Sequence, residues 1–136
     1  QHLGVSVLLV DDEPMILQTS RGLLESAGYR VTAANSASEA RSRLATGAFS
    51  LLITDYSMPT ENGMSLSRHA RQLFPQLPVI LTTGLGQVEE AGLETMEGIV
   101  MLNKPYKKAD LMQCIMRLLP ARTIAKAQVV PGHGAG

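Results

Sequence analysis

The run Leu51-Leu52-Ile53-Thr54 stops at a single carboxylate, Asp55, and the turn chemistry of Tyr56-Ser57-Met58-Pro59 follows at once. A short run without polar alternation predicts a strand buried on both faces, the kind found in a parallel sheet covered by helices. Such a strand delivers Asp55 to its carboxyl end, and the crevice outside those ends is where open α/β sheets bind ligands. Asp also opens turns and caps helices, so on this stretch alone a working acid and a local cap both remain open.

The rest of the chain repeats the same grammar. The run 5–10 (VSVLLV) predicts a first strand ending at Asp11-Asp12-Glu13, and Pro14 sits where a first helical position belongs. Ile16, Leu17, Leu23, Leu24 and Ala27 then make the inward stripe of a helix over 14–27, closed by Gly28. A second strand is expected over 29–34. Ser36-Ala37-Ser38-Glu39 has the form of a capping box, opening a helix in which Ala40, Leu44 and Ala45 run on to Gly47. After Asp55, Asn62-Gly63 reads as a turn, and Leu66, Ala70, Leu73 and Phe74 mark a third helix stopped by Pro75. Residues 78–81 predict a fourth strand running into Thr82-Thr83-Gly84. The weaker pattern over 87–97 reads as a fourth helix, interrupted by Gly92. Residues 99–102 form a fifth strand ending at Asn103-Lys104-Pro105, and 107–119 a fifth helix with Leu111, Ile115, Leu118 and Leu119 inward. Five strands alternating with five helices through short connections predict right-handed crossovers, a parallel sheet and a three-layer α/β fold.

Composition narrows the functional classes. The chain of 136 residues has room for one domain, and its 45% hydrophobic and 18% charged content is that of an ordinary globular protein. Twelve basic and twelve acidic residues balance, with no Lys/Arg cluster beyond Lys107-Lys108, which argues against direct nucleic-acid binding. No apolar run reaches membrane-spanning length. The lone Cys114 reads as a small core residue and suits a reducing cytoplasm. Opening on Gln1-His2-Leu3, the chain reads as a piece of a longer protein, and the Gly-rich stretch 121–136 as a linker or disordered tail. His69 lies opposite Leu66 and Leu73 and reads as a solvated surface residue. His2 and His133 have no ligand cluster nearby in sequence, and Met58, Met64, Met96, Met101, Met112 and Met116 read as core or face filler.

The strand ends carry the chemistry. Asp11-Asp12, Asp55, Thr82-Thr83 and Lys104 all arrive at one edge of one sheet. Three gathered carboxylates repel unless one is protonated or a cation neutralises them, and Mg²⁺ accepts such acids while keeping waters that phosphate oxygens replace. With a Lys and a Thr hydroxyl beside it, this set matches what phosphoryl transfer to a carboxylate requires. In that order, Val10-Asp11-Asp12-Glu13-Pro14, Thr54-Asp55-Tyr56-Ser57-Met58-Pro59 with Asn62-Gly63, Thr83-Gly84 and Lys104-Pro105 make the chain resemble the receiver domain of two-component response regulators, over about residues 5–119.

The resemblance implies a flavodoxin-like fold with strand order 2-1-3-4-5, in a domain over 1–120. It implies that Asp55 accepts a phosphoryl group from a histidine kinase or phosphotransfer domain. Asp12, Asp11, Asp55 and the Ser57 main-chain carbonyl would hold Mg²⁺ or Mn²⁺, Lys104 would hold Asp55 and the phosphoryl group, and Thr83 would be the switch hydroxyl. Thr83 is preferred to Thr82 because it precedes Gly84 and lies five residues after Pro78. A homodimer through segment 87–97, the fifth strand and the last helix also accords with the family. One departure is Met101, where many receivers have an aromatic residue. The run Leu81-Thr82-Thr83-Gly84 looks more like receivers fused to sensor kinases than those joined to transcription factors. The competing enzyme reading, a phosphatase of the haloacid-dehalogenase type, needs Asp-x-Asp on the first strand; here the acids are adjacent and position 13 is Glu.

Overall fold

A computed structural model describes residues 4–84 and 97–119. Five parallel strands form one sheet: β1 (Ser6–Val10), β2 (Arg30–Ala34), β3 (Leu51–Asp55), β4 (Val79–Thr83) and β5 (Ile99–Asn103), in the order β2-β1-β3-β4-β5. The four helices among the described residues are α1 (Pro14–Ser26), α2 (Ala37–Thr46), α3 (Gly63–Leu73) and α4 (Lys108–Leu118). The expected helix over 87–97 lies outside the described residues except for Glu97, which is in a turn. The expected tail at 121–136, with His2, Met96 and His133, lies outside them as well.

Strand alternation sends neighbouring side chains to opposite faces, and both faces are covered. Val7, Leu9, Leu51, Ile53 and Ile80 pack with Leu24 of α1 and Leu111, Cys114 and Ile115 of α4. Leu8, Val10, Leu52 and Val79 pack with Ala40 and Leu44 of α2 and Leu66 and Ala70 of α3. Each fully buried aliphatic side chain here stabilises the fold by about 1.5–3 kcal/mol. Cys114 is the small core residue expected. Two residues of the expected helical stripes are not buried: Leu73 is 46% exposed and Ala45 is exposed, while Met116, read as core or face filler, is 57% exposed. Leu73 is displaced because the chain turns at Pro75 and brings Leu77 into that cluster instead.

The helix ends follow their local chemistry. Pro14 opens α1, and Gly28, at φ +99°, takes the left-handed position after its last turn. Ser36 Oγ accepts the Glu39 amide at 3.0 Å, while the Glu39 carboxylate reaches the Asn35 amide, one residue ahead of the cap. Asn62-Gly63 is more than a turn: Asn62 Oδ1 caps α3 by accepting the Ser65 amide at 2.8 Å. Gly63 donates to the Tyr56 carbonyl at 2.8 Å, and a Cβ at position 63 would run into the Asp55 carbonyl. Only glycine lets α3 start this close to the end of β3.

Candidate functional site

The register brings the polar strand ends to one edge. Val10 pairs with Ala34 and Thr54, Asp55 with Thr82, and Thr83 with Asn103. The residue after each of β1 and β5 is therefore Asp11 and Lys104, flanking Asp55 on the central strand. The Asp11 amide still bonds the Ala34 carbonyl at 3.2 Å and the Lys104 amide the Thr83 carbonyl at 2.8 Å, so both positions are held by sheet hydrogen bonds.

Lys104 Nζ lies 3.0 Å from Asp11 Oδ2, 3.2 Å from Asp55 Oδ1 and 3.9 Å from Glu13 Oε1. Asp11 also accepts the Glu13 amide at 2.9 Å. Burial works against the Lys104 charge, but the hydrogen bond and charge of Asp11, then those of Asp55, outweigh it and hold the ammonium above its ordinary value. Asp55, 4% exposed, is also shifted upward, which for an acid disfavours the charged form. Burial is the main cause, the charge of Asp11 adds to it, and Lys104 offsets only part, leaving the carboxyl pushed up to about 6.

One oxygen from each of Asp11, Asp12 and Asp55 lies within 4.8 Å of the others. One ammonium facing three acids leaves uncompensated negative charge, and the donors are hard oxygens only. This arrangement fits a divalent cation such as Mg²⁺. Ser57, the fourth expected contributor, is exposed in the loop two residues beyond Asp55. Thr83 is fully buried, and its hydroxyl donates to Asn103 Oδ1 at 3.1 Å; Thr82, also buried, contributes its carbonyl to the Tyr56 amide at 2.8 Å. Met101 is half-buried against a cluster of Tyr56, Met64 and Leu81.

Four contacts went unread in the sequence. Asn103 was only the end of a strand, although its place opposite Thr83 follows once β4 and β5 are paired. Ser20 Oγ and Tyr106 Oη meet at 2.6 Å beside Lys104, in the wall of a hollow of about 470 Å³ between α1 and the chain after β5. Glu61 takes two bonds from Arg41 across α2 and α3. His69, expected to be solvated, is half-buried, with Nδ1 3.1 Å from Arg41 Nη1.

The family model described as "Response regulator receiver domain" matches residues 7–116. The chain belongs to the response regulator receiver domain family. It is 33% identical over 116 residues to the response regulator receiver protein CpdR of Brucella abortus, covering 85% of this chain and 97% of that one. It is 35% identical over 115 residues to the transcriptional regulatory protein GlrR of Escherichia coli, covering 84% of this chain but 26% of the relative. The chain thus spans about a quarter of the length of such regulators. A receiver domain structure from Clostridium thermocellum superposes with a TM-score of 0.79 at 32% identity, covering 88% of this chain and 98% of that one. These likenesses support the receiver reading and lend nothing to the haloacid-dehalogenase alternative. Neither named relative is a sensor kinase, so the likeness of 81–84 to kinase-fused receivers gains no support from them.

Proposed function

We propose that Asp55 is the phosphoacceptor of this receiver and takes its phosphoryl group from the phosphohistidine of a histidine kinase or phosphotransfer domain. The observation that carries this reading is the position of the Asp55 carboxylate, buried at the end of the central strand between two other acids and an ammonium 3.2 Å away. An Asp55 oxygen attacks phosphorus in line with the imidazole nitrogen; the O–P bond forms, the P–N bond breaks, and the departing imidazole takes a proton from water. Lys104, already beside Asp55, balances charge on the transferring oxygens. Asp11, Asp12, Asp55 and the Ser57 carbonyl would hold Mg²⁺ or Mn²⁺, which when bound supplies positive charge to the phosphoryl oxygens. The Thr83 hydroxyl exchanges its Asn103 partner for a phosphoryl oxygen and so reports the transfer to the chain that follows β4.

The phosphoryl group adds close to two negative charges and three acceptors at this edge. The response runs through Thr83, segment 84–98 and Met101, whose flexible thioether yields without a two-position aromatic rotor. A homodimer through segment 87–97, β5 and α4 belongs to the same reading. In this reading the receiver domain extends over 1–120, works in the cytoplasm and contacts no nucleic acid itself. No helix among the described residues is long and apolar enough to cross a membrane.

Labelling with acetyl phosphate tests the reading. The wild type is expected to take up one acid-, alkali- and hydroxylamine-labile phosphoryl group in the presence of Mg²⁺ and none after chelation. Asp55→Asn is expected to take up none while keeping its circular dichroism spectrum. Undiminished labelling of folded Asp55→Asn would overturn the assignment.

A further inference from the structure

Arg41 belongs to no strand end, yet it grips the loop that leaves the phosphoacceptor strand. Its Nε and Nη2 donate to Glu61 Oε1 and Oε2 at 2.9 and 2.7 Å, a two-point match of guanidinium to carboxylate. Ser65 Oγ donates to the same Oε2 at 2.8 Å, and His69 Nδ1 lies 3.1 Å from Arg41 Nη1. With the ring proton on Nε2, His69 accepts from Arg41 and steadies the guanidinium from α3. The Glu61 side chain is 17% exposed, so it is mostly shielded by these partners.

The loop needs such a grip. Thr60 sits at φ +68°, a left-handed conformation that costs a β-branched residue energy, and the next amide, Glu61, bonds back to the Pro59 carbonyl at 2.8 Å. The loop is anchored at its far end by the Gly63–Tyr56 bond and the Asn62 cap. Between these anchors lies Ser57, whose carbonyl is the main-chain member of the proposed metal set. With the Arg41 side chain 42% exposed, solvent screens this pair and its contribution to global stability is small; its effect is on the loop that Glu61 belongs to.

We propose that Arg41 is a positioning residue: through Glu61 it fixes the loop 57–62 in the strained form that aims the Ser57 carbonyl at the cation beside Asp55. The inference rests on the metal and phosphoacceptor reading above. Loss of Arg41 lets Thr60 relax and the loop drift, so divalent cations bind more weakly although every carboxylate remains.

The test compares wild type, Arg41→Ala, Arg41→Lys, Arg41→Glu, Glu61→Arg and the swapped pair Arg41→Glu/Glu61→Arg for Mg²⁺ affinity by titration and for amide hydrogen exchange across 56–65. Arg41→Ala is expected to weaken Mg²⁺ about fivefold, the worth of roughly one hydrogen-bonded pair, and to speed exchange in 57–63. Its melting temperature should change by only a few degrees. Arg41→Lys, which keeps the charge but not the two-point geometry, should recover part of the loss, and the swapped pair more than either of its single variants. Unchanged affinity and exchange in Arg41→Ala would overturn the proposal, as would a loss that the swapped pair fails to restore. Asp55→Asn run alongside separates the two levels: if it still accepts phosphate, the phosphoacceptor reading fails, while loop exchange in the Arg41 series still reports on the grip.

Discussion

A buried acid whose carboxyl is pushed up to about 6 binds its proton more tightly in the folded state than the ordinary value of 3.8 allows in the unfolded chain. Protonation therefore favours folding, and the cost of an ionised Asp55 is absent well below about pH 4, grows as pH rises, and is complete above about pH 6. Asn cannot ionise, so in metal-free buffer Asp55→Asn is expected to be more stable than wild type at neutral pH by about 1–3 kcal/mol. The gap should shrink toward about pH 4, and Mg²⁺ should narrow it at neutral pH by neutralising the carboxylate. Urea unfolding at the two pH values measures it; a gap that is the same at both would show that charge at Asp55 is not its source. Asp55 itself was legible in the sequence because a short, non-alternating run bounded by turn residues reads as a buried strand, and the carboxylate that closes it falls at the strand's carboxyl end. The acid that Lys104 approaches most closely was not. Asp11, Asp12, Glu13 and Asp55 are all within reach of a lysine on paper, and only the sheet geometry selects Asp11 at 3.0 Å.

Between elements, the pairing of β4 with β5 sets Thr83 against Asn103 and gives the Thr83 hydroxyl a partner before any phosphoryl group arrives. Asn103 therefore competes with the phosphoryl oxygen for the same proton. Asn103→Ala removes the competitor and leaves a buried hydroxyl unsatisfied, so beryllofluoride, a phosphoryl mimic, is expected to bind about fivefold tighter. Equal affinity in a titration of both proteins would contradict that competition. The capping signals at Ser36 and Pro14 were readable because their chemistry is local. Asn62-Gly63 was read as a turn; the Asn62 cap is local, but the need for glycine at 63 depends on the Asp55 carbonyl, which approaches from another element. Arg41 and Glu61 are twenty residues apart in sequence, and nothing local joins them until α2 and α3 are laid side by side on the sheet.

At the scale of the molecule, the doubly covered parallel sheet was legible from the alternation of short apolar runs with helical stripes, since short connections allow few other topologies. The strand order came instead through the family resemblance, and the observed order β2-β1-β3-β4-β5 agrees with it. That order puts β3 at the centre, with Asp55 between the strand end that carries Asp11 and the side from which Lys104 reaches in at 3.2 Å. The most direct measurement is therefore chemical mapping of the modified acid. After acetyl phosphate and Mg²⁺, borohydride reduces an aspartyl phosphate to homoserine, and peptide mass spectrometry locates it. Conversion at residue 55 alone is the predicted result; conversion at residue 11 or 12, with residue 55 unchanged, would contradict it.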